Sequence, residues 1–128
     1  MTGLEAVWTG QFEPTADSVA AVRQIVAGHL EGVAAPCLEA VVLIASELAS
    51  NVVRHASTPY EVRLRINESV VIEVMDRGGG VPEVQHPVSD ATGGRGLLIV
   101  STLASEWGCD RRDGTKTVWA QVRCGPAP

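Results

Sequence analysis

Glu47, Asn51 and His55 recur at intervals of four residues within Ser46-Glu47-Leu48-Ala49-Ser50-Asn51-Val52-Val53-Arg54-His55-Ala56. The segment is otherwise almost wholly apolar. In a helix, residues four apart stand one above another about 6 Å apart, so a carboxylate, a carboxamide and an imidazole form one slowly drifting ridge. Ala40, Ile44 and Leu48 share that sector, which places the ridge on an inward face. Polar groups there are costly unless something satisfies them. Either other protein groups do so, or a ligand and its metal do. His55, at the helix end, also suits a structural role on the last carbonyls.

Asp76 is the second candidate. It closes Val70-Val71-Ile72-Glu73-Val74-Met75-Asp76, a strand in which Val70, Ile72 and Val74 share one face and Asp76 continues it. A carboxylate at the core-facing end of a strand can accept a hydrogen bond from an amino group such as that of adenine. Gly78 and Gly80 would let the backbone approach a flat base closely. An Asp that bonds turn amides fits the same residues. The third candidate is Gly93-Gly94-Arg95-Gly96 at a helix start, where free N–H groups and the helix dipole favour an anion. A glycine hinge without a ligand fits as well. No Gly-Lys-Ser/Thr follows, so this is not a P-loop. Thr117, taken alone, is an ordinary strand threonine.

The elements that must position these groups follow from periodicity. Val7 to Phe12 alternates as an edge strand, and Thr15 is a plausible N-cap. Val19, Val22, Ile25, Val26 and Leu30 mark a first helix, which Gly32 and Pro36 end. The second helix is expected from about Pro36 to His55. Glu61–Ile66 and Val70–Asp76 form a hairpin around Asn67-Glu68-Ser69. Pro82 to Gly93 reads as a mobile loop, Leu97 to about Ser105 as a short helix, and Glu106–Arg112 with Thr115–Arg123 as two strands around Asp113-Gly114. The order β-α-α-β-β-loop-α-β-β predicts an α+β two-layer sandwich, with a mixed, mainly antiparallel sheet and helices on one face. Residues 1–128 read as one domain, with a core at about 7–123 and a frayed tail at 124–128.

Composition narrows the function classes. The chain is 45% hydrophobic and 20% charged, with a net charge of −5 and no basic cluster. Nucleic acid is therefore not an expected direct partner. The apolar run Val41 to Ala45 is too short for a bilayer, and no signal peptide is evident, so a cytoplasmic location without membrane contact is expected. Cys37, Cys109 and Cys124 are odd in number and form no CxxC, which reads as small core or surface residues in a reducing compartment. With His29, His55 or His86 they lack the close pairs of a zinc site. An edge strand near Val7 and an apolar outer stripe of Val42, Ala49 and Val53 make a homodimer reasonable.

In combination, Glu47-x3-Asn51-x3-His55, Asp76-x-Gly78-x-Gly80, Gly94-x-Gly96-Leu97 and Thr117, in that order, resemble the Bergerat-fold ATP-binding domain of the GHKL superfamily, which includes gyrase and the histidine kinases. The short chain and the wording Gly-Gly-Arg-Gly-Leu and Lys-Thr-Val-Trp-Ala look like the stand-alone anti-sigma-factor serine kinases of the RsbW and SpoIIAB type. The resemblance implies ATP and Mg²⁺ as cofactors. Glu47 would be the general base, and Asn51 the protein's ligand to Mg²⁺. Asp76 would bind the adenine amino group with Thr117 nearby, and Gly78 and Gly80 would shape the base pocket. Residues 82–93 would be the ATP lid, and Gly94, Arg95, Gly96 and Leu97 would contact phosphate. It further implies a sigma factor and a STAS-domain antagonist as partners, the latter phosphorylated on serine or threonine. The alternative is a non-catalytic, nucleotide-gated binding module of the same fold.

Overall fold

The structure, a computed structural model, describes residues 6–78 and 94–124. Strand β1 (Ala6–Phe12) leads into helix α1 (Ala16–His29). Thr15 caps α1 as expected, its side chain accepting from the Ser18 N–H at 3.2 Å. Helix α2 (Ala35–Asn51) follows and continues into a wider π-helical turn, Val52–Ala56. Then come β2 (Tyr60–Ile66), β3 (Ser69–Asp76), α3 (Gly94–Leu103), β4 (Glu106–Arg112) and β5 (Thr115–Arg123). The loop expected at 82–93 and the end of the tail, 125–128, lie outside the described residues.

The strand order is β1-β2-β3-β5-β4, and each neighbouring pair is antiparallel. The expected α+β sandwich is present, with an antiparallel sheet throughout the described residues. Two hairpins explain much of this order. β2 turns into β3 around Asn67, whose N–H donates to the Ser69 carbonyl at 2.9 Å. β4 turns into β5 through Asp113 and Gly114, both at positive φ (54° and 81°), the backbone that a two-residue hairpin matched to strand twist demands.

Alternation decides which face is the core. Val62 and Leu64 on β2, Val70, Ile72 and Val74 on β3, and Val118, Ala120 and Val122 on β5 all point inward. They meet Val22, Val26 and Leu30 of the first helical segment, Val41, Ile44, Ala45 and Leu48 of α2, and Val100 of α3 in one cluster. The opposite face carries Glu61, Arg63, Arg65 and Glu73 as a ladder of ion pairs with N–O separations of 3.7 to 3.9 Å. Exposed pairs of this kind contribute little stability. The helical face is thus where a site must be built.

Ala35–Ala56 is, by length and composition alone, apolar enough to cross a membrane. Its Val41, Ile44, Ala45, Leu48 and Ala49 are packed inside, so its hydrophobicity is that of a core helix. The apolar outer stripe expected from Val42, Ala49 and Val53 is likewise not an outer one. Ala49 is fully buried, and Val42 and Val53 pack against the core.

The cysteine expectation also needs correction. Cys37, in the first turn of α2, and Cys124, just past β5, are joined as a disulfide, with Cα atoms 5.6 Å apart. They are 87 residues apart in sequence. No local pattern signals the pair, because only the docking of α2 on the sheet brings them together. Cys109 remains free, and burial pushes its thiol up more strongly than Lys116 and Arg111 pull it down. A thiol so placed is a poor nucleophile at neutral pH.

Tyr60, the only tyrosine, ties β2 to the first helix. It is buried, with its hydroxyl 2.6 Å from Ser18 Oγ and its ring stacked on Phe12 at 5.6 Å. Burial raises its phenol above the ordinary 10.0, against a weaker pull from the Ser18 hydrogen bond. As pH rises the unfolded chain loses this proton first. The Tyr60 contribution to stability is therefore intact below about pH 10 and is lost as pH climbs through the raised native value. Tyrosinate absorbance of the native protein is expected to rise at higher pH than that of the chain in urea. Coincident titration curves would contradict this burial.

Candidate functional site

The end of α2 meets the glycine turn after β3, and this contact organises the site. Past Asn51 the helix widens. The Ser57 N–H donates to the Val52 carbonyl at 3.0 Å, and Ser57 ends the turn at φ 57°. A π turn of this kind is a local departure that often accompanies a binding site, and nothing in the composition of Val52–Ala56 announces it. It delivers Ala56 against Gly78. A Cβ built on Gly78 would lie 2.8 Å from the Ala56 Cβ, 3.0 Å from Asp76 Oδ1 and 3.2 Å from the Ala56 Cα. Two of those atoms belong to neighbouring backbone or a Cβ that cannot swing away, so only glycine permits this approach.

Asp76 lies beside that contact and is 2% exposed. Its Oδ1 accepts the Gly78 N–H at 2.7 Å. Its Oδ2 is buried and, among the described residues, has no hydrogen-bond donor. Lys116 Nζ stands 4.0 Å from it, beyond hydrogen-bond reach. The turn-amide reading of Asp76 is realised at Oδ1, while Oδ2 is left over. A buried carboxylate oxygen without a donor is costly, and a ligand N–H would relieve that cost. Thr58 Oγ1 is a second buried polar atom without a partner among the described residues.

The ridge on α2 leads away from this corner. Asn51 and Glu47 precede Ala56 by about 7 and 13 Å along the helix axis. Both side chains are half-buried rather than fully inside, and His55 is exposed. The expectation of an inward ridge is corrected to that extent: Ile44 and Leu48 are buried, while the polar residues occupy the margin of the same sector. Neither Glu47 nor Asn51 contributes a buried orphan atom among the described residues. No group of three or more His, Cys, Asp or Glu able to hold a metal occurs among the described residues. A single carboxamide oxygen nevertheless suits Mg²⁺, which keeps most of its waters and draws other ligands from phosphates.

Gly94, Arg95, Gly96 and Leu97 form the first turn of α3, whose leading amides have no intrahelical acceptor. Leu97 is 4% exposed and, with Val100, anchors this helix in the interior. Gly80 and the lid assigned to 82–93 lie outside the described residues.

Thr117 does not stand where the resemblance puts it. It pairs with Met75, so it occupies the sheet face opposite to Asp76. The β5 residue directly across from Asp76 is Lys116. Sequence reasoning passed over this lysine, because only the register of β5 against β3 decides which of two adjacent residues faces inward.

The described residues thus form a two-layer sandwich with a buried, half-satisfied carboxylate and a glycine turn at one end of its sheet. Residues 12–122 match the histidine kinase-like ATPase domain, and the chain belongs to that family. Among solved structures it is similar to the RsbU and RsbW domains of Rv1364c from Mycobacterium tuberculosis, with 20% identity and a TM-score of 0.72 over 92% of this chain. The chain spans 32% of that structure's length. The histidine kinase domain of the Erythrobacter litoralis EL346 blue-light activated kinase gives 20% identity and a TM-score of 0.53, covering 84% of this chain and 60% of that one. The Acinetobacter baumannii histidine kinase AdeS gives 11% and 0.56, covering 93% of this chain and 68% of that one. A search of the curated proteins finds no match to this sequence.

Proposed function

We propose that this chain is an ATP- and Mg²⁺-binding regulator of the anti-sigma-factor type that phosphorylates a serine or threonine of a STAS-domain antagonist and also binds a sigma factor. The observation that carries the nucleotide part is the buried Asp76 Oδ2, which lacks a donor beside a glycine that cannot be replaced without a clash. An adenine amino group supplies such a donor. Asn51 and Glu47 then follow in order along α2, at spacings that suit the phosphate end of the same ligand.

In this reading the Asn51 carboxamide oxygen offers the protein's contact to Mg²⁺, and the first-turn amides of α3 orient phosphate oxygens. Mg²⁺, when bound, neutralises charge on the transferring phosphoryl group. Glu47 accepts the proton of the partner's hydroxyl as that oxygen bonds to the γ-phosphorus and the bond to the ADP oxygen breaks. The sigma factor and antagonist follow from the family resemblance. They accord with the Rv1364c protein, in which an RsbW domain shares a chain with an RsbU domain. A cytoplasmic location belongs to the same reading. In a reducing cytosol the Cys37–Cys124 disulfide would be open to reduction.

Calorimetry with a non-hydrolysable ATP analogue and Mg²⁺ is expected to give one binding site per chain, and absence of heat at millimolar analogue would sink the nucleotide reading. Transfer is read by mass spectrometry of a STAS-domain partner incubated with ATP. Binding without any phosphosite would favour a nucleotide-gated module over a kinase.

A further inference from the structure

Lys116 is the only lysine in the chain, the other nine basic residues being arginines. It stands directly opposite Asp76 in the β3–β5 ladder and so shares its inward face. Its side chain is 16% exposed and that of Asp76 is 1% exposed. The ammonium and Oδ2 are 4.0 Å apart, too far to hydrogen-bond each other. A donor and an acceptor are therefore held side by side, both largely withdrawn from water. The acceptor has no hydrogen-bond partner among the described residues.

We infer that Lys116 is a specificity-determining residue of the base pocket, donating to the adenine ring nitrogen next to the amino group that Asp76 accepts. The inference rests on the nucleotide reading above and adds which base is chosen and by what. On either polar edge, adenine presents an amino donor beside a ring-nitrogen acceptor. That is the complement of an Asp acceptor beside a Lys donor. Guanine and hypoxanthine present an oxygen where adenine has the amino group, and their N1 carries a proton. Asp76 then faces an acceptor, and Lys116 loses its acceptor on the N1 edge. A site built to hydrogen-bond a substrate group rejects analogues that lack it, because its own buried groups are left unpaired. A lysine that only neutralised Asp76 would be indifferent to the ring nitrogen.

The test uses the full chain with Mg²⁺ and compares ATP, 1-deaza-ATP and 7-deaza-ATP by competition binding. The wild-type chain is expected to bind one of the deaza analogues about 10- to 100-fold more weakly than ATP, the range of a hydrogen bond to a charged group. Which analogue is weak tells whether N1 or N7 receives the lysine. In Lys116→Met, ATP is expected to weaken to the level of that analogue, whose own binding stays unchanged. Lys116→Arg, which keeps a donor, is expected to restore part of the preference. Equal binding of ATP and both analogues by the wild type would overturn the inference while leaving the nucleotide reading intact. So would ATP binding to Lys116→Met at wild-type strength. No binding of ATP to the wild type would remove both. The analogue comparison within the wild type needs no variant to fold.

Discussion

Asp76→Asn is expected to weaken ATP binding about 100-fold, the upper range for a charged hydrogen bond in a buried site. The substitution preserves shape and removes one of two acceptors. Oδ1 already accepts from the Gly78 N–H at 2.7 Å. If the new NH₂ takes that position, two donors oppose each other and the glycine turn is pushed off Ala56. If it takes the Oδ2 position, it points a donor at the donor of the base. Neither amide orientation satisfies both neighbours. Lys116 also loses its counter-charge at 4.0 Å. Calorimetry with an ATP analogue reads the loss, and a thermal melt of the apo variant shows whether the fold survives. A variant that melts like the wild type and binds with unchanged affinity would remove Asp76 from the pocket.

Glu47→Ala is expected to leave ATP affinity within a few-fold of wild type and to slow phosphoryl transfer about 10²- to 10⁴-fold, the usual span for losing a positioned general base. Glu47 is half-buried on α2, one helical turn before Asn51, so truncating it opens no core cavity. A single-turnover assay with labelled ATP and a STAS-domain partner separates the two quantities. Transfer at the wild-type rate would remove the catalytic assignment. A parallel loss of binding would instead give Glu47 a role in holding the nucleotide.

These variants and Lys116→Met divide the site among distinct readouts. In the proposed reading, Asp76 reports on whether a nucleotide binds, Lys116 on which base is preferred, and Glu47 on whether the bound nucleotide reacts. The π-helical turn Val52–Ala56 joins them mechanically, because it seats Ala56 on Gly78 while Asn51 and Glu47 ride on the same helix. A bulky residue at position 78 would therefore disturb the Asp76 corner and the Asn51–Glu47 ridge together.

Local chemistry made much of the fold legible. Thr15 caps α1 because its hydroxyl can reach the Ser18 amide. The turns at Asn67-Glu68 and Asp113-Gly114 are written in their residue types, and Asp113 and Gly114 tolerate the positive φ that a tight hairpin needs. Period-two alternation in β2 and β3 identified the buried face and placed Asp76 on it, and the observed burial follows that pattern. Helical spacing likewise found the buried Val22, Val26 and Leu30.

What the sequence by itself determined is what depends on neighbours a few residues away: element order, hairpins, caps, and which residues of one strand share a side. What only the tertiary structure decided depends on how separate segments meet. The register of β5 against β3 turned Thr117 outward with Met75 and brought Lys116 across from Asp76. The docking of α2 on the sheet joined Cys37 to Cys124 and pressed Ala56 onto Gly78. The same packing left Glu47 and Asn51 at the margin of the core rather than within it. The physical reason is that a strand's side chains alternate with period two. A one-residue difference in register exchanges the two faces, and that register is set by the packing of the whole sheet against its helices.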